Sequence, residues 1–333
     1  MLLRISHETR LSYTAPVSET VFEVRMAPPT DDDQTALGYH LKTTPQSPVT
    51  SYRDGLGNRV DLFNIAKPYA ELVIAATSYV RTHRRPGPAR LDAAARPLVA
   101  GEVAVEALEY LQPSPLVDRS EALDGFVAGL PPQSATMSGS EYVNSLIDAV
   151  AGRLKFEARV TKSRTPVSEA LALGRGVCQD FAHLFIGVCR GLGLPARYVS
   201  GYVNHPGEIA THAWVQVWGG EAVGWVDVDP TARKFVADDY VAIAFGRDYS
   251  DVPPNRGLWK GRAEETIAVT VKVEPVDRVP MEWNEWSMSP GRSGGGMFQS
   301  QRIGGMTQRQ GRPPYPNQRG NHSGLVQQQG EQQ

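Results

Sequence analysis

With 333 residues, 41% of them hydrophobic, the chain is long enough for one large domain or two medium ones, each with a core of its own. A net charge of −2 supplies no field that would gather nucleic acid or acidic lipid, so neither a nucleic-acid partner nor a membrane is expected. The start Met1-Leu-Leu-Arg-Ile-Ser-His-Glu8 has no apolar leader region, and no later run approaches the roughly 18 apolar residues of a membrane span, so the cytoplasm is the expected location.

From Leu2 to about Arg81, short β-rich runs alternate with turn chemistry: Leu3–Tyr13, Val21–Met26, Tyr39–Thr43, Val49–Tyr52, Arg59–Ile65 and Leu72–Val80. This predicts a small antiparallel β domain over residues 1–85. Asp54-Gly-Leu-Gly-Asn58 is its strongest hairpin signal, because Gly and Asn supply the positive φ angles of tight turns. Proline and charge between Arg81 and Arg96 mark a linker, and its basic run Arg81-Thr-His-Arg-Arg85 reads as a solvated loop.

Helical patterning follows over Gly101–Gln112, Ser120–Ala128, Ser140–Arg153 and Thr165–Leu173. The stretch Gly174-Arg-Gly-Val-Cys178 then forms a glycine-rich turn feeding a helix from about Val177 to Arg190, stopped by Gly191, Gly193 and Pro195. Val177, Phe181, Ala182, Leu184, Phe185, Ile186, Val188 and Cys189 leave that helix almost no polar face, so it belongs inside the domain. Cys178 lies in its first turn, where unpaired N–H groups and the positive dipole end stabilise an anion. The only other cysteine, Cys189, stands 11 residues on, roughly 16 Å along the axis, too far for a disulfide. After Pro195 the pattern turns to β at Ala196–Val203, Thr211–Trp218 and Gly224–Asp229, so the class is α+β, with a core over residues 86–258. A C-terminal strand segment (259–288) carries the alternating run Glu265–Glu274, which could pair with either domain. A Gly/Gln/Arg-rich tail (289–333) has the composition of a disordered segment.

A cysteine at a helix start needs a base and an orienting group to be a nucleophile. In Thr211-His-Ala-Trp-Val-Gln-Val-Trp218, alternation puts His212, Trp214, Gln216 and Trp218 on one face; Trp225, Asp227 and Asp229 share a face of the next strand. A four-residue loop Gly219–Ala222 would set His212 opposite Asp229, whereas a Gly219-Gly220 turn would set it opposite Asp227, and periodicity leaves both open. His183 is about 140° around the helix from Cys178 and reads as packing, Asp180 as a capping group, and Cys189 as core. The spacing of Cys178, His183, Cys189 and His212 does not suit zinc, so no metal or cofactor is expected.

Gly176-Val-Cys-Gln-Asp-Phe-Ala-His183, Thr211-His-Ala-Trp214 and Gly224-Trp-Val-Asp-Val-Asp-Pro-Thr231 resemble, in order and approximate spacing, the three signature blocks of the bacterial transglutaminase-like cysteine enzyme superfamily. The strand pattern around Asp54–Asn58 resembles the β domain that precedes the core in many of its members. The resemblance implies a papain-like core, a buried cysteine helix packed on an antiparallel sheet, after a small N-terminal β domain. It implies a nucleophilic Cys178, a base His212 and an orienting Asp229, and thereby favours Asp229 over Asp227. The backbone N–H of Cys178 would be the first oxyanion donor; Gln179 and Trp214 are candidates for a further donor or for lining the substrate channel. The activity implied is attack on an amide bond of a peptide or protein through a thioester acyl-enzyme, with hydrolysis expected. The same triad serves protein-glutamine acyl transfer, and some relatives lack it and act as interaction modules.

Overall fold

The N-terminal sheet is built along one strand, β1 (Leu2–Val24), whose odd-numbered residues from Leu3 to Tyr13 are buried in strict alternation. The structure, a computed structural model, describes residues 1–94, 98, 103–204, 211–281 and 283, together with the backbone of 325–329. β2 (Gln34–Thr44), β3 (Val49–Arg53), β4 (Arg59–Ile65) and β5 (Tyr69–Thr82) complete the first part of the chain. The two strands expected at Leu3–Tyr13 and Val21–Met26 are one bent strand. Its first half pairs with β5, its second half with β4, and the register shifts between Ser12 and Val17, where Pro16 has no N–H to give the ladder. Leu11 and Tyr13 from the first half thereby share a core with Phe22, Phe63 and Trp259 around the second.

The expected linker is structured. α1 (Gly87–Asp92) begins there and buries Leu91. α2 (Val105–Leu108), followed by a single tight turn at Glu109–Leu111, is all that the described residues hold of the helix expected over 101–112. α3 (Glu121–Ala128) and α4 (Gly139–Arg153) open on Ser120 and Ser138, whose side chains accept N–H groups of the first turn. The short strand β6 (Lys155–Phe156), α5 (Val167–Leu173) and β7 (Arg175–Gly176) lead to α6 (Cys178–Gly191), which is buried continuously from Asp180 to Cys189.

β8 (Ala196–Val203), β9 (Thr211–Trp218), β10 (Trp225–Asp229), β11 (Lys234–Phe235) and β12 (Tyr240–Gly246) form a five-stranded sheet in the order β11-β10-β9-β8-β12, with every pairing antiparallel. α6 packs on one face of this sheet, and α3, α4 and α5 pack around α6. The chain then returns to the first sheet: β13 (Asn255–Lys260) and β14 (Glu265–Pro275) both pair with β1. The boundary expected at 258 therefore cuts β13, and the alternating run Glu265–Glu274 belongs to the N-terminal sheet. The expected tail lies outside the described residues, apart from β15 (Leu325–Gln329), whose backbone pairs with β13.

The two sheets meet along β12. Leu3, Ile5 and Val80 pack against Tyr202, Val241 and Ile243. The Gln34 side-chain amide bonds both backbone groups of Ala242, each at 2.9 Å, and the Asn58 amide does the same for Phe245, each at 2.8 Å. Two side chains thus stand in for a neighbouring strand and close an open sheet edge. The side chain of Arg84, expected in a solvated run, is 4% exposed and donates to Asp227 at 2.9 Å. Charge alone cannot show that a basic residue has a buried carboxylate waiting for it.

Candidate active site

The start of α6 is fixed from both sides. Gly174 takes φ 67° to end α5. Gly176 lies against Asp180, and a Cβ there would stand 2.6 Å from the Cβ of Asp180. That closeness lets Asp180 Oδ2 accept the backbone N–H of Val177 at 2.8 Å and the hydroxyl of Thr161 at 2.6 Å. Asp180 is therefore the cap of the cysteine helix. Burial pushes its carboxyl upward, and these hydrogen bonds oppose that only in part. Cys178 follows, half-buried, with its side chain on a cleft.

On the facing sheet, Trp218 pairs with Trp225 and Gln216 with Asp227. Gly219 to Gly224 all lie outside this ladder, Gly220 and Gly224 at positive φ, so the loop is wider than either loop considered from the sequence. In this register Asp229 falls beyond Val228, opposite Trp214, and is the diagonal neighbour of His212. His212 Nε2 lies 2.7 Å from Asp229 Oδ2. The nitrogen facing Asp229 is Nε2, where the serine-protease template would place Nδ1. This leaves Nδ1 as the ring nitrogen not committed to Asp229, with Cys178 on the same cleft.

Asp229 is wholly buried and fully partnered. Its Oδ1 accepts the N–H groups of Thr231 (2.9 Å) and Ala232 (3.0 Å), and Oδ2 also accepts the hydroxyl of Tyr240 at 2.8 Å. Burial would raise its carboxyl, but the His212 hydrogen bond and charge, with those further donors, hold it below the ordinary range. For His212, burial works against the charged ring, yet the bonds to Asp229 and Cys178 and their charges raise its pKa to about 10. At neutral pH the site therefore holds an imidazolium between a carboxylate and a sulfur.

Asp227, the alternative from the sequence, has a different task. It accepts Trp214 Nε1 at 2.6 Å, Gln216 Nε2 at 3.0 Å and Arg84 at 2.9 Å. Trp214 does not line the cleft as expected: it is fully buried, its ring stacked 6.3 Å from that of His212. Alternation put it on the right face, but the ring lies flat behind the imidazole. Gln179 does reach the cleft, with its amide donated to Ser163 O at 3.2 Å. His183 is buried and accepts the N–H of Tyr249 at 3.2 Å, and burial lowers its pKa to about 4. Cys189 is buried in the core, and burial pushes its thiol up.

The cleft has walls that the sequence did not point to. His7 and Arg25 of the β domain line it together with Cys178 and His212. His7 Nδ1 is 2.6 Å from the hydroxyl of Tyr202, and burial lowers its pKa to about 4. Only the fold brings β1 to Cys178, so no local signal could have found these residues. Among the described residues no group of three or more His, Cys, Asp or Glu side chains is arranged to hold a metal ion, and no helix is long and apolar enough to cross a membrane.

Comparison with known proteins accounts for both parts of this architecture. Residues 130–230 match the transglutaminase-like superfamily, and residues 3–81 match the bacterial transglutaminase-like N-terminal region. An uncharacterized protein of Mycobacterium leprae is 32% identical over 285 residues, covering 81% of this chain and 98% of that protein. The chain belongs to the transglutaminase-like superfamily. Another relative, an uncharacterized protein of Mycobacterium tuberculosis, is 32% identical over 298 residues, 82% of this chain and 93% of its own length. Among solved structures, a candidate cysteine protease from Cytophaga hutchinsonii superposes with a TM-score of 0.67 at 23% identity, over 84% of this chain and 93% of that one. It shares the fold of this transglutaminase-like chain, from the N-terminal β region through the papain-like α+β core.

Proposed function

We propose that this protein is a cysteine peptidase or amidase that cleaves an amide bond of a peptide or protein through the triad Cys178, His212 and Asp229. The observation that carries the proposal is that Cys178, at a helix start, shares one cleft with His212, whose Nε2 lies 2.7 Å from the buried carboxylate of Asp229. Cys178 adds as thiolate to the carbonyl carbon, and the carbonyl π pair moves to oxygen. As that intermediate collapses, His212 gives its proton to the leaving amine and a thioester remains on Cys178. His212, now neutral, takes a proton from water, which hydrolyses the thioester and frees the acid. Asp229 keeps the ring oriented and stabilises its charged form through both half-reactions.

Hydrolysis is the reading preferred over transfer to an amine, supported by the likeness in fold to the Cytophaga protein described as a candidate cysteine protease. The cytoplasm is the compartment proposed, in keeping with two free thiols. The test is to incubate the protein with a library of short peptides, with and without an added primary amine such as glycine methyl ester. Cleaved acids should dominate in both cases and be absent with Cys178→Ala. Amine adducts dominating whenever amine is present would make the protein an acyltransferase instead.

A further inference from the structure

The proposed reaction generates a negative oxygen when the sulfur adds to the carbonyl, and one donor for it, the backbone N–H of Cys178, comes with the helix start. A second donor is needed for efficient stabilisation. The Gln179 amide already donates to Ser163 O, and the Trp214 indole donates to Asp227 from a fully buried position.

Strand β8 offers another. Alternation turns Tyr198, Ser200 and Tyr202 to the same side, and all three line the cleft that holds Cys178 and His212. The two tyrosines differ in their commitments. The Tyr202 hydroxyl is bonded to His7 Nδ1 at 2.6 Å. The Tyr198 hydroxyl makes no hydrogen bond to any described residue, and its residue lines the cleft. Its ring is held in place: 2% exposed, 5.2 Å from the ring of His183 and 6.3 Å from that of Tyr249. A buried phenol with a clamped ring and a free hydroxyl in a cleft is an unpartnered donor aimed at whatever occupies that cleft.

We infer that the Tyr198 hydroxyl is the second oxyanion donor of this site, an inference that rests on the acyl-transfer reading above. When the S–C bond forms and the π pair moves to oxygen, that oxygen accepts hydrogen bonds from Tyr198 Oη–H and from Cys178 N–H. When it collapses, the C=O bond re-forms and the C–N bond breaks. Tyr198 gives up no proton in either step. Burial, and after it the charge of Cys178, hold the phenol well above its ordinary range, so it stays an O–H donor at neutral pH. The role of His183 becomes clear in the same picture: a neutral imidazole at the foot of the phenol packs it without competing for the hydroxyl.

Two probes separate this role from ionisation or placement of the sulfur. p-Nitrophenyl acetate acylates Cys178 through an oxyanion, whereas iodoacetamide alkylates it by displacement at a saturated carbon and forms none. Tyr198→Phe keeps the ring and removes only the hydroxyl. Acylation should slow by about 10²-fold, the usual effect of deleting one oxyanion donor, while alkylation of Cys178 proceeds at the wild-type rate. Unchanged acylation would overturn the inference. So would an equal fall in both rates, or faster alkylation with acylation intact, which would make Tyr198 a partner of the resting sulfur. If the wild-type protein shows no acylation that Cys178→Ala abolishes, the acyl-transfer reading itself falls and takes the role of Tyr198 with it. The wild-type and Cys178→Ala pair thus tells that failure apart from one confined to Tyr198.

Discussion

Asp229 reaches His212 from a diagonal position across the β9–β10 ladder, at 2.7 Å, while Asp227, one strand repeat earlier, is held 2.6 Å from the indole of Trp214 behind the same imidazole. The two aspartates share a face but take different partners, one the imidazole and one the indole behind it. Asp229→Asn should lower kcat by orders of magnitude, up to about 10⁴-fold where the ring orientation is lost, with little change in melting temperature. Asp227→Asn takes from Arg84 the nearer of its two carboxylates, Asp33 standing at 3.8 Å, and should cost about 1.5–3 kcal/mol, several degrees in Tm. Thermal melts alongside p-nitrophenyl acetate kinetics check both. The opposite distribution of effects would mean that the roles are exchanged.

The histidines predict how stability depends on pH. His212, raised to about 10, binds its proton more tightly in the folded protein than in the unfolded chain. Its contribution is complete below the ordinary histidine value of about 6.5 and is lost as pH rises through about 10. His7 and His183, lowered to about 4, behave in reverse: the unfolded chain takes up protons that the fold refuses. Stability therefore falls as pH drops from about 6.5 towards 4. Tm should peak near neutral pH. In His212→Ala the alkaline decline should flatten and the acid decline persist; an alkaline limb that survives this substitution would assign it to other groups.

Gly176 should tolerate no side chain. A methyl group there overlaps the Asp180 carboxylate that caps α6, so Gly176→Ala must displace either the cap or the turn before Cys178. Loss of a cap costs about 1 kcal/mol. Displacing a nucleophile by about 1 Å costs on the order of 10²-fold in rate. A far larger fall in kcat/KM than in Tm is the expected signature, and wild-type kcat/KM would show that the turn carries no precision.

The β domain should be inseparable from catalysis. Its residues His7 and Arg25 form a wall of the cleft, and its Gln34 and Asn58 amides close the edge of β12. Replacing both amides, Gln34→Leu with Asn58→Leu, leaves the backbone groups of Ala242 and Phe245 unpaired at about 1–3 kcal/mol each. Hydrogen exchange of those two amides should accelerate strongly; protection unchanged from wild type would show that the seam is held by its apolar contacts alone.

Much of this was legible in the chain because it depends on local pattern. Period-two alternation placed His212 with Trp214 and Asp227 with Asp229, and the glycines before Cys178 marked the turn into α6. Where the sequence misled, the missing information was long-range. β1 reads as two strands in the sequence because Pro16 interrupts a pattern that the sheet carries past it as a bulge. Arg84 reads as solvated because its partner, Asp227, is far along the chain. The hairpin loop reads as too short because Val223 looks like the first residue of the next strand, whereas the ladder begins only after Gly224. The tyrosines of the site, Tyr198 and Tyr240, carry no motif a reader could separate from ordinary strand composition.

The central claim is that Cys178 carries the acyl group. It is tested most directly by mixing the protein with p-nitrophenyl acetate, quenching in acid, and locating the adduct by peptide mass spectrometry. One acetyl group per chain should appear on Cys178, removable by hydroxylamine as a thioester is, absent from His212→Ala at matched times, with Cys189 unmodified. An adduct confined to lysines or to Cys189, or equal labelling of Cys178 with and without His212, would contradict the account.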